Sequence, residues 1–121
     1  MQTCDLHVHS NYSDGSFTPE AIVDSAISLG ISAVALCDHN TVAGVPRFLE
    51  YAKGKNVHAV SGIEFSTVFE GTELHILGLF IDPSFFGQIE ERVDEYDRLK
   101  EESNVRLIEN LNTKGFSLDY C

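Results

Sequence analysis

Basic residues are scarce in this sequence. Eight lysines and arginines stand against nineteen aspartates and glutamates over 121 residues, a formal net charge of −11. Only Arg47, Lys53 and Lys55 fall before position 82. Long nucleic acids and anionic membranes are gripped by basic patches, so neither is expected as a partner. Long apolar runs are missing too: no stretch approaches the roughly 18 apolar residues of a membrane span. Met1-Gln2-Thr3-Cys4-Asp5 shows no basic segment followed by an apolar one, so no secretory leader is expected. Cysteine is sparse. Cys4, Cys37 and Cys121 are odd in number and lack Cys-x-x-Cys spacing, which argues against a disulfide framework or a zinc ribbon and for reduced thiols in a cytoplasmic protein.

Hydrophobic residues make up 43% of the chain, enough for one packed domain with a modest core. Residues 3–9 alternate as a strand, with Asp5, His7 and His9 expected on one face and Leu6 and Val8 on the other. Ser13-Asp14-Gly15 is turn chemistry. Thr18 as N-cap and Pro19 at the first helical position predict a helix to about Leu29, with Ile22, Ala26 and Leu29 as its apolar stripe and Gly30 as its stop. Ala33–Cys37 is a continuous apolar strand of the kind buried in a parallel sheet. Asp38-His39-Asn40 ends it, and a helix over about 45–53 follows. A third strand is expected over 57–60, leading through Gly62 to Glu64. Two more over 63–69 and 74–81 are joined by Glu70-Gly71-Thr72-Glu73. From about 84 to 114, apolar and charged residues mix at helical spacing, predicting one or two acidic helices stopped by Gly115. The rhythm is β-α-β-α-β, an α/β fold.

The reactive polar residues collect at one structural place. His7 and His9 end the first strand, Asp38 and His39 the second, and Glu64 lies just past the third. In parallel α/β folds such strand ends converge on the active site. Two imidazoles two residues apart on a strand sit about 6–7 Å apart at the backbone and can chelate one ion. A carboxylate such as Glu64 can bridge two ions. Mixed imidazole and carboxylate suit zinc, manganese or iron better than magnesium or calcium. Taken singly each residue has an ordinary reading: Asp14 a turn residue, Asp38 a helix cap, Glu64 a solvated loop carboxylate, His75 a plain strand residue. Jointly, at successive strand ends, they point to a metal centre. His58, mid-strand without a partner, is left as ordinary.

Asp5-Leu6-His7-Val8-His9-Ser10, Ser13-Asp14-Gly15, Pro19-Glu20, Ala35-Leu36-Cys37-Asp38-His39-Asn40-Thr41 with Gly44, Gly62-Ile63-Glu64 and His75-Ile76-Leu77-Gly78 together resemble the PHP (polymerase and histidinol phosphatase) family. The resemblance runs over positions 3–82. It implies the N-terminal part of a distorted seven-stranded (βα) barrel over 1–83, followed over 84–121 by the start of a helical insertion. It also implies a metal-dependent phosphoesterase that uses metal-activated water on a small phosphorylated substrate, with nucleotides or short oligonucleotides preferred. His7, His9 and Glu64 would hold a first ion, Glu64 and His75 a second, Asp14 and His39 a third. Two or three divalent ions (Mn, Zn or Fe) are thus implied, with Glu64, His39 and Asp14 also catalytic. Asp5 and Asp38 would be outer carboxylates orienting imidazoles. The family completes its site with a further histidine and a late Asp-x-His pair, whereas no histidine follows His75 here. A closed barrel takes roughly 200–250 residues, so a missing C-terminal half or a second chain is expected to complete the barrel. The rival readings are an inactive fragment or interaction module, an amidohydrolase-type hydrolase, and a proofreading domain attached to a polymerase.

Overall fold

The computed structural model describes residues 3–120, so the cysteine expectation at Cys121 lies outside the described residues. Contacts divide the chain into two compact units, one running to Glu90 and one from Glu91. In the first, β1 (Cys4–Val8), α1 (Pro19–Ser28), β2 (Ala33–Leu36), α2 (Val45–Ala52), β3 (His58–Phe69) and β4 (Thr72–Leu79) build a mixed α/β unit. The four strands form one curled sheet in the order β1-β2-β3-β4. β1, β2 and β3 run parallel, while β4 returns antiparallel to β3.

α1 forms where local chemistry predicts. The Thr18 hydroxyl accepts the Ala21 N–H and Pro19 opens the first turn. Ile22, Val23 and Ala26 are buried. Leu29 is 74% exposed rather than part of the stripe, because it caps the helix as the chain turns through Gly30 at φ 69°. On α2, Val45, Phe48 and Ala52 are buried. Ala35, Cys37 and Val60 form a second buried cluster with Leu6 and Leu79 packed on it. Burying about 25 cal/mol per Å² of apolar surface on both sides of β2 is what holds the three parallel strands in register.

Three local expectations are corrected. β1 does not alternate cleanly: its pairing with β2 goes from Asp5↔Val34 to Val8↔Leu36, so β1 spends three residues where β2 spends two. The extra residue is a bulge, and bulges re-aim side chains. Leu6 therefore packs on the Ala35–Cys37 cluster, while Asp5 and Val8 line one hollow with Ile22 and Ala26. Second, the strands expected at 57–60 and 63–69 are one twelve-residue strand. Gly62 is no break. A Cβ there would lie 2.6 Å from the Cys37 sulfur and 2.8 Å from the Leu36 oxygen, so glycine allows two strands to pass closely. Third, the β3–β4 turn is only Glu70-Gly71, both in the left-handed region at φ 50° and 79°, as two-residue hairpins favour. Thr72 and Glu73 are already paired strand residues.

Among the described residues β4 pairs with β3 alone, and Val68, Phe69, Leu74 and Ile76 on this hairpin are exposed. After a short 3-10 turn (Pro83–Phe85), a single helix α3 (Phe86–Thr113) stands where one or two were expected. Within the second unit its end is closed by the Asn112 side chain, which both donates to the Leu118 carbonyl and accepts the Leu118 N–H. No helix is long and apolar enough to cross a membrane among the described residues.

Candidate metal centre

His7 lies on β1 with His9 just past its end, His39 lies past the end of β2, and Glu64 lies on β3 beyond its pairing with β2. His39 and Glu64 are held to each other by backbone: the Asn40 N–H donates to the Glu64 carbonyl at 2.9 Å and the Glu64 N–H to the Asp38 carbonyl at 3.1 Å. Asn40 takes φ 50°, a conformation asparagine tolerates better than most, and its side-chain oxygen accepts the Ser66 N–H. The chain thus turns sharply after His39 with its polar groups satisfied. On β4, His75 stands opposite Ser66, one diagonal step from Glu64, and reaches it across the strands.

Glu64 is the hub. It is 5% exposed, and four imidazoles surround its carboxylate. Oε2 lies 2.8 Å from His7 Nε2, 3.1 Å from His9 Nε2 and 3.5 Å from His39 Nδ1; Oε1 lies 2.9 Å from His75 Nδ1. Asp14 joins from the β1–α1 loop, 3.1 Å from His9 Nδ1 and 3.6 Å from His39 Nε2. All six residues singled out in the sequence therefore meet. They form three groups, His7–His9–Glu64, His9–Asp14–His39 and His39–Glu64–His75, each with ligand atoms within 4.8 Å of one another. His9 and His39 each serve two groups, a sharing that the sequence did not reveal.

The donor set fits divalent ions. His7 Nε2 and His9 Nε2 face each other at 3.0 Å, and the pair turns toward one carboxylate oxygen. His9 Nδ1 is buried and, although Asp14 Oδ1 is near, the two do not align as a hydrogen bond, so that nitrogen lacks a partner. Buried nitrogens without protein partners, beside carboxylates, are what a cation would satisfy.

The outer carboxylates differ from expectation. Asp5 accepts the His7 backbone N–H, and Asp38 accepts from Ser10 and Ser13, so the hydrogen bonds they make reach no imidazole ring. Ring orientation falls instead to Glu64 and to Glu73, whose Oε1 lies 3.4 Å from His75 Nε2. The sequence reading placed Glu73 in a turn and missed it. Its spacing two residues before His75 on a strand was the available signal. His58 starts β3 and joins Ile31, Ser32 and Lys55 around a hollow of about 450 Å³, and no residue of the three groups lines it.

Charge in the cluster is mutually arranged. Burial pushes the Glu64 carboxyl up, but hydrogen bonds from His7 and His75 outweigh it and hold the group below its ordinary 4.5. Glu73, then Glu64, raise His75 above its ordinary 6.5. In ion-free protein the His75 contribution to stability is complete below the ordinary histidine value and is lost as pH rises through its raised one. Glu64 stays ionised throughout that window. Ions require neutral rings and so reverse the trend. Thermal denaturation in chelator is therefore expected to give a higher midpoint at about pH 6 than at about pH 8, and the stabilisation by added manganese or zinc to grow over the same interval. Parallel pH profiles with and without ions would contradict this.

Comparison with known proteins fits the geometry. The family model described as "PHP domain" matches residues 5–116. A curated 5'-3' exoribonuclease from Haemophilus influenzae is 34% identical over 116 residues, covering 96% of this chain and 42% of its own. Among solved structures, one from Bifidobacterium adolescentis, provisionally described as a metal-dependent phosphoesterase, superposes with a TM-score of 0.78 at 29% identity, covering 98% of this chain and 41% of that one. Another, described as an amidohydrolase from Chromobacterium violaceum with bound sulfate and no metal, also gives 0.78, at 27% identity over 96% of this chain and 40% of that one. The chain thus spans about two fifths of the length of each of these three proteins.

Proposed function

The chain belongs to the PHP domain family, and from that premise we propose that it supplies six metal ligands of a phosphoesterase acting on small phosphate esters, with nucleotides or short oligonucleotides as the preferred class. One observation carries the reading: a buried carboxylate, Glu64, with ring nitrogens of four histidines within 3.5 Å of it. His7, His9 and Glu64 would hold one ion, His39, Glu64 and His75 a second, and His9, Asp14 and His39 a third. Such ions lower the pKa of water toward about 7 and neutralise charge on phosphoryl oxygens.

The chain's own residues supply the rest. Glu64 directs one oxygen to His75 and the other to His7, His9 and His39, so it ties groups together rather than serving one. His7 and Asp14 keep 44% and 68% of their side chains exposed, which leaves the cluster open for a substrate to approach. Asp14, Glu64 and Glu73 would repel a phosphate, so the anion needs the cations to bind at all. Side-chain nucleophiles are poor candidates. The Ser10 and Ser13 hydroxyls are spent on Asp38, and burial, with Glu64 and Asp38 nearby, pushes the Cys37 thiol up to about 11. Water is left as the attacking group.

The substrate preference is supported by the exoribonuclease relative, while the scarcity of basic residues counts against gripping a long strand. The test is a side-by-side assay with added manganese or zinc on nucleotide phosphate esters and on amides. The expected outcome is phosphate release that chelation abolishes and added ions restore. Hydrolysis of amides without phosphate esters would favour the amidohydrolase reading, and chelator-resistant phosphate release would remove the ions from the chemistry.

A further inference from the structure

Asp38 is a fully buried carboxylate whose hydrogen-bond partners are all neutral donors. The Ser10 N–H and the Ser13 hydroxyl donate to Oδ1 at 2.6 and 2.7 Å, and the Ser10 hydroxyl donates to Oδ2 at 2.6 Å. Ser10 is itself fully buried. Its carbonyl accepts the Ser13 N–H at 3.1 Å and the Gly15 N–H at 2.9 Å, and its hydroxyl oxygen accepts the Tyr12 N–H at 3.2 Å. The β1–α1 loop is thus closed on Ser10, and Asp38 bolts that closure to the end of β2.

The clamp has a pattern in sequence. Ser10 follows His9, Ser13 precedes Asp14, and Asp38 precedes His39. Each member of the clamp is the chain neighbour of one member of the His9–Asp14–His39 group. No other ligand group is bracketed in this way: Glu64 is set by β-pairing and His75 by the hairpin. Asp14 needs such help most, because it stands on an exposed loop with no strand to hold it. A side chain on a loop loses more freedom on binding an ion than one already fixed by its neighbours.

Resting on the reading of the site as a metal centre, we propose that Asp38, Ser10 and Ser13 are positioning residues that set the affinity of the His9–Asp14–His39 position for its divalent ion through Asp14, the one member of that group shared with neither of the others. The clamp fixes the distance between the loop carrying Asp14 and the turn carrying His39, and its Ser13 hydroxyl, donating to Asp38 at 2.7 Å, also lies 3.4 Å from Asp14 Oδ1. It differs from an outer carboxylate that orients a ring, since Asp38 touches none.

The experiment is a calorimetric titration of ion-free protein with manganese(II), comparing the parent chain with Ser13→Ala, Ser13→Thr, Asp14→Ala and Ser13→Ala combined with Asp14→Ala. Ser13 is only partly buried, so its replacement leaves the core alone. Ser13→Ala is expected to weaken one class of ion at least about tenfold, the usual scale for outer partners of metal ligands, and to leave the remaining ions unchanged. Ser13→Thr, which keeps the hydroxyl, restores it. Added to Asp14→Ala, Ser13→Ala changes nothing further, which a general structural role would not produce. Unchanged affinities in Ser13→Ala, equal weakening of every ion, or further loss in the double variant would each overturn the proposal while leaving the metal centre standing. A parent chain that takes up no manganese overturns the metal reading first and this inference with it.

Discussion

Replacing Glu64 by glutamine is expected to strip the centre of all but one weak ion at most and to lower the proposed phosphoesterase activity by more than about a hundredfold, beyond the tenfold to hundredfold that outer partners usually cost. Glutamine keeps the volume, so no cavity opens beside Ile63 and the β2 core. It removes the charge shared by four imidazoles and puts an amide NH₂ where one carboxylate oxygen accepted. Either way round, the amide places a donor against ring nitrogens that also serve as donors. Two of the three ligand groups contain Glu64 directly, and only His9–Asp14–His39 does without it. The variant is therefore expected to retain one weak ion at most, measured by elemental analysis after gel filtration. In ion-free protein it is also expected to flatten the rise in stability toward about pH 6, because His75 loses one of the two carboxylates that raise it. Full ion content in the variant would remove Glu64 from the hub.

Gly15→Ala is expected to destabilise the fold by about 2–4 kcal/mol and to cost the Asp14 position at the same time. A Cβ on Gly15 would lie 2.3 Å from the His9 carbonyl oxygen, 2.6 Å from the His9 carbonyl carbon and 2.9 Å from the Ser10 carbonyl carbon. These are backbone atoms, so no side chain can swing aside. The loop would have to open, which breaks the Gly15 N–H to Ser10 carbonyl bond and pulls Ser10 away from buried Asp38. Leaving those donors and that carboxylate unpaired is the larger part of the cost. The contrast is Gly87, where a Cβ would meet nothing within 4 Å: alanine there is expected to be neutral or mildly stabilising within α3. Denaturant unfolding of the two variants separates them. Equal midpoints would show that the loop is looser than its contacts indicate.

Much of this was legible because the signals were local. Thr18-Pro19 opening a helix and Gly30 ending one are decided within a few residues. The apolar run of β2 reads as buried in any context. His7, His9, His39 and Glu64 could be picked out together because parallel strands bring their ends together whatever the details of packing, whereas Asp14, on a loop, and His75, on the antiparallel β4, joined them through the family resemblance. What failed to show was set by pairing between distant segments. The β1 bulge exists only relative to β2, so alternation placed Leu6 and Val8 together when the structure separates them. Gly62 resembles a strand break, and only the proximity of Cys37 and Leu36 explains it as a close passage within a continuous β3. Glu73 was hidden by a turn two residues shorter than expected. Asp38 was recognised as important, but its partners proved to be serines of the β1–α1 loop, a relation over 25 and 28 residues that no local pattern carries.

The measurement that bears most directly on the account is the number of divalent ions per chain, taken by elemental analysis after the protein is equilibrated with manganese or zinc at about pH 7.5 and freed of excess. Three groups built from six ligands predict about two or more ions per chain, released on acidification as the imidazoles protonate. A folded chain that retains none under these conditions would contradict the central claim, and the cluster around Glu64 would stand as an ion-pair network of histidines and carboxylates.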